Sequence, residues 1–226
     1  MGDADGDGGT ASGHYVHHDS YVAQCFFARH QLRHIDIGSR VDGFVARVAA
    51  FREIEYFDLR SVETAVPNIG SRRGNLFVPD SQPERVCDSY SCLHVIEHAG
   101  LGHYGDRLRP DGWRIALHSL VQVLSVGGIF YLSVPIGRQR VECNAHRVFA
   151  PDPIVRADDE VGLVLERLTW EDDGGAFHHP AAEPAEIPRS ATACDYNCDV
   201  FELRQTRLTP VDSSHLRRSR GERRAA

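Results

Sequence analysis

The sequence predicts an α/β fold built on a mostly parallel sheet with helices on both faces. Three observations support this. A strand–turn–helix–strand unit opens with His34-Ile35-Asp36-Ile37-Gly38-Ser39 and closes on Phe57-Asp58-Leu59-Arg60, about twenty residues later. Short apolar runs alternate along the chain with segments of helical periodicity. Two further strand-like runs near the end, Leu163 to Trp170 and Asp199 to Thr206, are joined by a Pro/Ala/Gly-rich stretch too irregular for a crossover helix, so they are expected to pair antiparallel.

Met1 to Ser12 is Gly, Asp and Ala without periodicity and reads as a disordered tail; the folded domain is expected to span 13–208, followed by a mobile Arg-rich tail over 209–226. Val22, Cys25, Phe26 and Arg29 lie at helical spacing, which predicts a short helix from Tyr21 to His30 leading into a strand Arg33 to Ile37. Val41, Phe44, Val45, Val48 and Ala49 form one apolar helix face. Glu53 to Leu59 is the second strand. After the turn signals Pro67-Asn68 and Gly70, a third strand is expected at Arg72 to Phe77, and a fourth at Arg85 to Cys92. Asp111 can N-cap a helix whose inner face is Trp113, Leu117, Leu120, Val121 and Leu124, with Gly127-Gly128 ending it. Ile129 to Val134 is a continuous apolar run suited to a buried parallel strand, stopped by Pro135.

Composition narrows the function. The 226 residues, 42% of them hydrophobic, suffice for one α/β domain with a substantial core and leave no room for a second large one. All 25 basic residues are arginine, which excludes a P-loop lysine, a Schiff-base lysine and a lysine general base. The formal charge of −7 disfavours nucleic acid as a partner; Arg217, Arg218, Arg220, Arg223 and Arg224 read as a solvated tail. Six cysteines without C-x-x-C spacing, no apolar leader-like run and no membrane-length apolar segment lead to the expectation of a reduced, cytoplasmic protein that avoids membranes.

The first unit has the shape that holds an adenosine-containing cofactor: a glycine lets the turn approach the ligand, and the acid ending the next strand can hold both ribose hydroxyls. G-x-G-x-x-G is absent, since the run reads Gly38-Ser39-Arg40-Val41-Asp42-Gly43, so no pyrophosphate cradle is visible. S-adenosylmethionine has no phosphate, and an acidic loop suits its positive sulfonium end. The chemistry therefore leans towards methyl transfer over a nicotinamide-dependent oxidoreductase.

A resemblance sharpens this. Ser91-Cys92-Leu93-His94-Val95-Ile96-Glu97-His98 and Leu120-Val121-Gln122-Val123-Leu124-Ser125-Val126-Gly127-Gly128 resemble the post-strand-four and glycine-turn segments of class I S-adenosylmethionine-dependent methyltransferases. Gln122 stands where arginine is usual, and Ser125-Val126 replaces Lys-Pro. The runs beginning Gly13-His14-Tyr15, His34-Ile35-Asp36, His98-Ala99-Gly100 and Asn144-Ala145-His146-Arg147 resemble more specifically a small methyltransferase-like family of unknown function with nematode and bacterial members, over roughly Gly13 to Thr206. The resemblance implies a Rossmann-like methyltransferase fold with a mostly parallel seven-stranded sheet and an antiparallel C-terminal hairpin. It implies S-adenosylmethionine as cofactor, with Asp36, Gly38 and Ser39 at its amino-acid end, Asp58 on the ribose, Leu59 and Asn75 near adenine, and His94 beside them.

A base near the acceptor is expected from His98 or His146, with Glu97 or Asn144 orienting it, because both groups follow neighbouring strands at the carboxyl edge of the sheet. Tyr104, Asp106, Asn144, Arg147 and Tyr15 are the candidate contacts to a small-molecule or glycan-like acceptor. His14, His18 and Asp19, with Tyr15, are expected to form an N-terminal lid. Neither His14-His17-His18-Asp19 nor His178, His179, Cys194 and Cys198 has the paired spacing of a recognised zinc site, so no metal is expected. The alternative to an enzyme is a binding module that keeps the methyltransferase fold without catalysis. Oligomeric state is left open.

Overall fold

A computed structural model describes residues 12–60, 62–74, 87–102, 106–142, 146–179, 187, 191 and 194–208. Helix α1 (His14–Arg29) precedes strand β1 (His34–Ile37), a π-turn (Val41–Val45) that runs into α2 (Ala46–Ala49), and strands β2 (Ile54–Asp58), β3 (Ile69–Arg73) and β4 (Cys87–Leu93). A 3-10 turn (Ile96–His98), α3 (Gly112–Leu120) and the long β5 (Leu124–Gly137) follow. The chain then forms a hairpin of β6 (Arg140–Glu142) and β7 (His146–Val148), α4 (Pro151–Glu160), β8 (Leu163–Glu171), a short β9 (Phe177–His178) and β10 (Tyr196–Gln205).

One sheet has the order β3-β2-β1-β4-β5-β10-β8-β9. Its first five strands are parallel, whereas β10 runs antiparallel between β5 and β8. The closing antiparallel pair is therefore present. The strand count is eight, not seven, because β9 adds to the edge through Trp170↔His178. The hairpin β6–β7 stands apart as a second small sheet.

The sheet separates two apolar layers. On one face Val22, Ala23 and Phe26 of α1 pack with Phe44, Val45, Val48 and Ala49 over Tyr56, Ile129, Tyr131 and Val200. On the other, Trp113, Leu117 and Leu120 of α3 and Ile154 of α4 cover Ile35, Tyr90, Leu132, Leu168 and Phe201. Both predicted helix faces are buried as their periodicity requires.

Several boundaries shift. Helix α1 begins seven residues before the predicted Tyr21. The third strand starts at Ile69, three residues earlier than expected: the turn ends at Asn68, which takes a left-handed conformation and donates its side-chain amide to Ala49 O (2.9 Å), so Gly70 lies inside the ladder opposite Glu55. Residues 75–77 of the expected strand, and residues 85–86 of the fourth, lie outside the described residues. Asp111 occupies the N-cap position of α3 without a capping bond, its carboxylate being drawn to Arg109 (3.1 Å). That helix ends at Leu120, and Gly127-Gly128 falls within β5 instead of terminating the helix.

Pro135 does not stop β5. Its carbonyl accepts from Phe149 N–H (2.9 Å), and a residue's N and O point to the same side of a strand, so its missing N–H faces away from β10 and removes no bond from that ladder. The strand accordingly continues to Gly137 opposite Tyr196.

Candidate functional site

The strand order reverses between β1 and β4, which places a crevice at the carboxyl edge of these two strands. The turn after β1 is built from within. Asp36 is fully buried, and Ser39 donates to it from both its backbone N–H (3.1 Å) and its hydroxyl (2.6 Å). Ser91 donates to the same carboxyl group, and His34 bridges Ser91 (2.8 Å) and Ser89 (2.6 Å) beneath it. Burial pushes the Asp36 carboxyl up to about 7 and the His34 imidazole down to about 3. Asp36 thus braces the turn from behind.

Gly38 is required twice over. Its φ of 66° lies in the left-handed region, and a Cβ there would come 3.1 Å from Val95. Its N–H donates to Phe57 O (2.8 Å), tying the turn to β2. Arg40, standing where a second glycine would be usual, points outward: it pairs with Asp42 (2.8 Å) and lies 5.0 Å above the Tyr15 ring. Gly43 serves the fold, because a Cβ there would fall 2.2 Å from the Asp19 carboxylate of α1.

At the end of β2, Asp58 accepts from Tyr56 OH (2.8 Å), Arg60 N–H (2.7 Å) and the Arg60 guanidinium (3.1 and 3.2 Å). Burial opposes its ionisation, but the bonds from Arg60 and Tyr56 outweigh that and hold its pKa below the ordinary carboxylate value. Arg60 is 72% exposed and Asp58 only 6%, so an exposed guanidinium covers a buried carboxylate. Leu59 is half-buried beside it. Asn75 lies outside the described residues. The carboxyl edge therefore carries the Gly38-Ser39 turn and the Asp58 carboxylate on adjacent strand ends, with Arg40 directed away from the turn.

The segment after β4 carries the second half of the site. His94 adopts φ 58°, a strained choice for a non-glycine residue that is common at functional positions. Its Nδ1 lies 3.3 Å from Glu97 Oε1, and His98 Nε2 lies 3.8 Å from the same oxygen. Glu97 is buried with its other oxygen unpartnered, and His146 Nε2 is likewise buried and unpartnered. The His98 and His146 rings are 6.3 Å apart, and Tyr196 of β10 is 6.0 Å beyond His146. Glu97, His98 and His146 thus converge, with Tyr196 as a member that the sequence did not single out.

The first turn of α1 closes over this group, with the Tyr15, His14 and His18 rings 5.3, 5.5 and 4.9 Å from His94. The expected lid is therefore a docked helix end. Cys198 of β10 completes the floor, since one ligand atom from each of His14, His94 and Cys198 lies within 4.8 Å of the others. Nothing in the spacing 14, 94, 198 reveals this.

Two expected acceptor contacts have other work. Arg147 is buried and donates to the backbone carbonyls of Glu97 (3.2 Å), Ala99 (2.6 Å), Arg109 (3.1 Å) and Pro110 (3.4 Å). The guanidinium expected to contact the acceptor is thus engaged by the backbone, since it has five N–H donors and four carbonyls converge here. Asp106 accepts from Gly100 N–H (2.5 Å) inside the same loop. Tyr104 and Asn144 lie outside the described residues. A groove of about 380 Å³ opens at the opposite edge of the sheet, between β1, β2 and β3; its Arg33 and Glu55 pair with each other (2.5 Å).

The strand order and this edge define a Rossmann-like methyltransferase fold, and solved structures agree. The chain is similar to S-adenosylmethionine-bound CalS10, an amino pentose methyltransferase from Micromonospora echinaspora (11% identity, 86% of this chain and 92% of that one, TM-score 0.55). It is also similar to the N-methyltransferase NodS from Bradyrhizobium japonicum in complex with S-adenosyl-L-homocysteine (10%, 85% and 88%, 0.55). The [4+2]-cyclase SpnF matches as well (13%, 84% and 81%, 0.56). At these identities the likeness concerns the fold. A model of the family described as "Caenorhabditis protein of unknown function, DUF268" matches residues 82–155, the stretch that holds β4, the Glu97-His98 turn and Arg147. No curated protein matches the chain in sequence. Among the described residues no helix is long and apolar enough to cross a membrane.

Proposed function

We propose that this protein is an S-adenosylmethionine-dependent methyltransferase acting on a small-molecule or glycan-like acceptor. The observation that carries the reading is the position of the buried Asp58 carboxylate and the Gly38-Ser39 turn on adjacent strand ends, one strand from the Glu97, His98 and His146 group. Asp58 would hold the ribose hydroxyls once Arg60 turns away, and the turn would receive the amino-acid end. The cofactor supplies an already activated methyl group, so the protein's share is alignment and removal of the acceptor's proton. His98 is suited to that removal because it is partly exposed and Glu97 lies beside its Nε2, where a carboxylate steadies the imidazolium that forms. His146, with Nε2 unpartnered, is the second candidate.

A non-catalytic binding module is the second reading, favoured by the Arg60 guanidinium lying on Asp58. Calorimetric titration with S-adenosylhomocysteine separates the two. Micromolar binding that Asp58→Ala weakens at least ~10-fold, equivalent to the loss of about 1.4 kcal/mol, is the expected result. A folded protein that binds none of the ligand overturns the enzyme reading and leaves the binding module.

A further inference from the structure

We infer that His14, His94 and Cys198 form a zinc site at the meeting point of α1, β4 and β10. Two imidazoles and a thiol are the ligand types that select zinc among the common divalent ions. The three side chains come from elements far apart in sequence, yet their ligand atoms lie within 4.8 Å of one another. Bonds of ~2.0–2.3 Å in a tetrahedral arrangement place ligand atoms about 3.5 Å apart, so the site must contract by roughly an ångström on loading. His14, half-exposed at the start of α1, is the ligand whose side chain has room to adjust.

Two further observations point to a ligand. His94 Nε2 is buried with no nitrogen or oxygen partner, and the ring also neighbours the Cys198 side chain, so imidazole and sulfur already face each other as two ligands of one ion would. The other nitrogen, Nδ1, faces Glu97 Oε1 at 3.3 Å. That is the carboxylate–histidine arrangement which orients a metal-bound imidazole and presents the opposite nitrogen to the ion. Cys198 is 1% exposed, inside the sheet at the level of the site. The strained left-handed conformation of His94 then has a purpose, since it helps to direct this ring towards Cys198.

Three protein ligands leave the fourth position of a tetrahedral ion to water or to an oxygen or nitrogen of a bound molecule, as in catalytic rather than structural zinc sites. The ion also ties the start of α1 to the crevice beside the Glu97–His98 pair. The inference concerns metal binding alone and holds whether or not the protein binds S-adenosylhomocysteine.

The test is metal content and cobalt spectroscopy on the full chain. After equilibration with micromolar Zn2+ and removal of the free ion, about one equivalent per chain is expected. The Co2+ form should show a thiolate-to-cobalt charge-transfer band that Cys198→Ser abolishes, and His14→Ala should weaken binding by at least ~10-fold. His14 lies half-exposed at the helix start, so His14→Ala keeps the fold, which circular dichroism verifies. Substoichiometric metal in the wild type, or a cobalt spectrum unchanged by Cys198→Ser and His14→Ala, overturns the inference.

Discussion

Asp36 shows how much a residue's neighbours change what its letter implies. As a carboxylate near the end of the first strand it invites a direct role with the ligand, but in the fold it is fully buried and bonded to Ser39 and Ser91. Its pKa rises from 3.8 unfolded to about 7 through burial. Between those values the folded state holds a proton that the unfolded state has lost, so this site's contribution to stability is complete at low pH and declines as pH rises from about 4 to 7. The decline is on the order of a few kcal/mol. Asp36→Asn, which mimics the protonated acid, removes that slope. Its melting temperature relative to wild type should therefore climb from pH 5 to pH 8; parallel curves would contradict the assignment of this proton to Asp36. Asp58 behaves oppositely, because Arg60 and Tyr56 hold it ionised despite burial, the state that the proposed ribose contact requires.

The segments 97–100 and 109–112 are held against each other by two devices. Gly100 passes so close to Arg109 and Gly112 that a Cβ would lie 2.4 Å from the Arg109 carbonyl, and Arg147 donates to four carbonyls along the same path. The two motifs that are separate in sequence, Glu97-His98-Ala99-Gly100 and His146-Arg147, therefore act as one element. Lysine lacks the planar fork and cannot serve four carbonyls. Arg147→Lys should cost about 1–3 kcal/mol, seen as a lower urea midpoint at unchanged slope; a midpoint within error of wild type would show that the clamp is dispensable. Helix α1 is fastened in a comparable way, with Tyr21 OH (2.5 Å) and Arg29 (2.8 Å) both directed at Glu202 of β10, which is fully buried. Those contacts fix the position of the His14–His18 turn over His94.

Across the whole molecule, stability is concentrated in the middle of the sheet. Strands β1, β4, β5 and β10 are buried along most of their length, while β3 and β9 are half-covered edges. Hydrogen exchange should follow that gradient, with β3 and β9 amides exchanging through local opening and those of β4, β5 and β10 only through global unfolding. Slow exchange in β3 equal to that of β4 would mean that the edge is covered by another body in solution.

The central elements were legible in the sequence because their signals are local. The apolar face of Phe44, Val45, Val48 and Ala49, the continuous run Ile129 to Val134, and the glycine after β1 each state their own conformation through periodicity or φ. The closing antiparallel pair was equally visible, from a connecting segment whose Pro/Ala/Gly-rich composition carries no helical periodicity. The extension of β5 through Pro135 was not, because it depends on which side of the strand has a partner. Nor was the work of Arg147, whose four acceptors are backbone atoms that carry no side-chain signature. Sequence by itself determined the α/β alternation, the Gly38 turn with Asp58 ending the next strand, and the placing of Glu97 and His98 directly after β4. Only the tertiary structure decided that Asp36 faces inward, that Arg60 covers Asp58, and that His14, His94 and Cys198 meet. These depend on the register of β1, β4 and β10 and on the docking of α1, and contacts between residues tens of positions apart leave no periodicity along the chain.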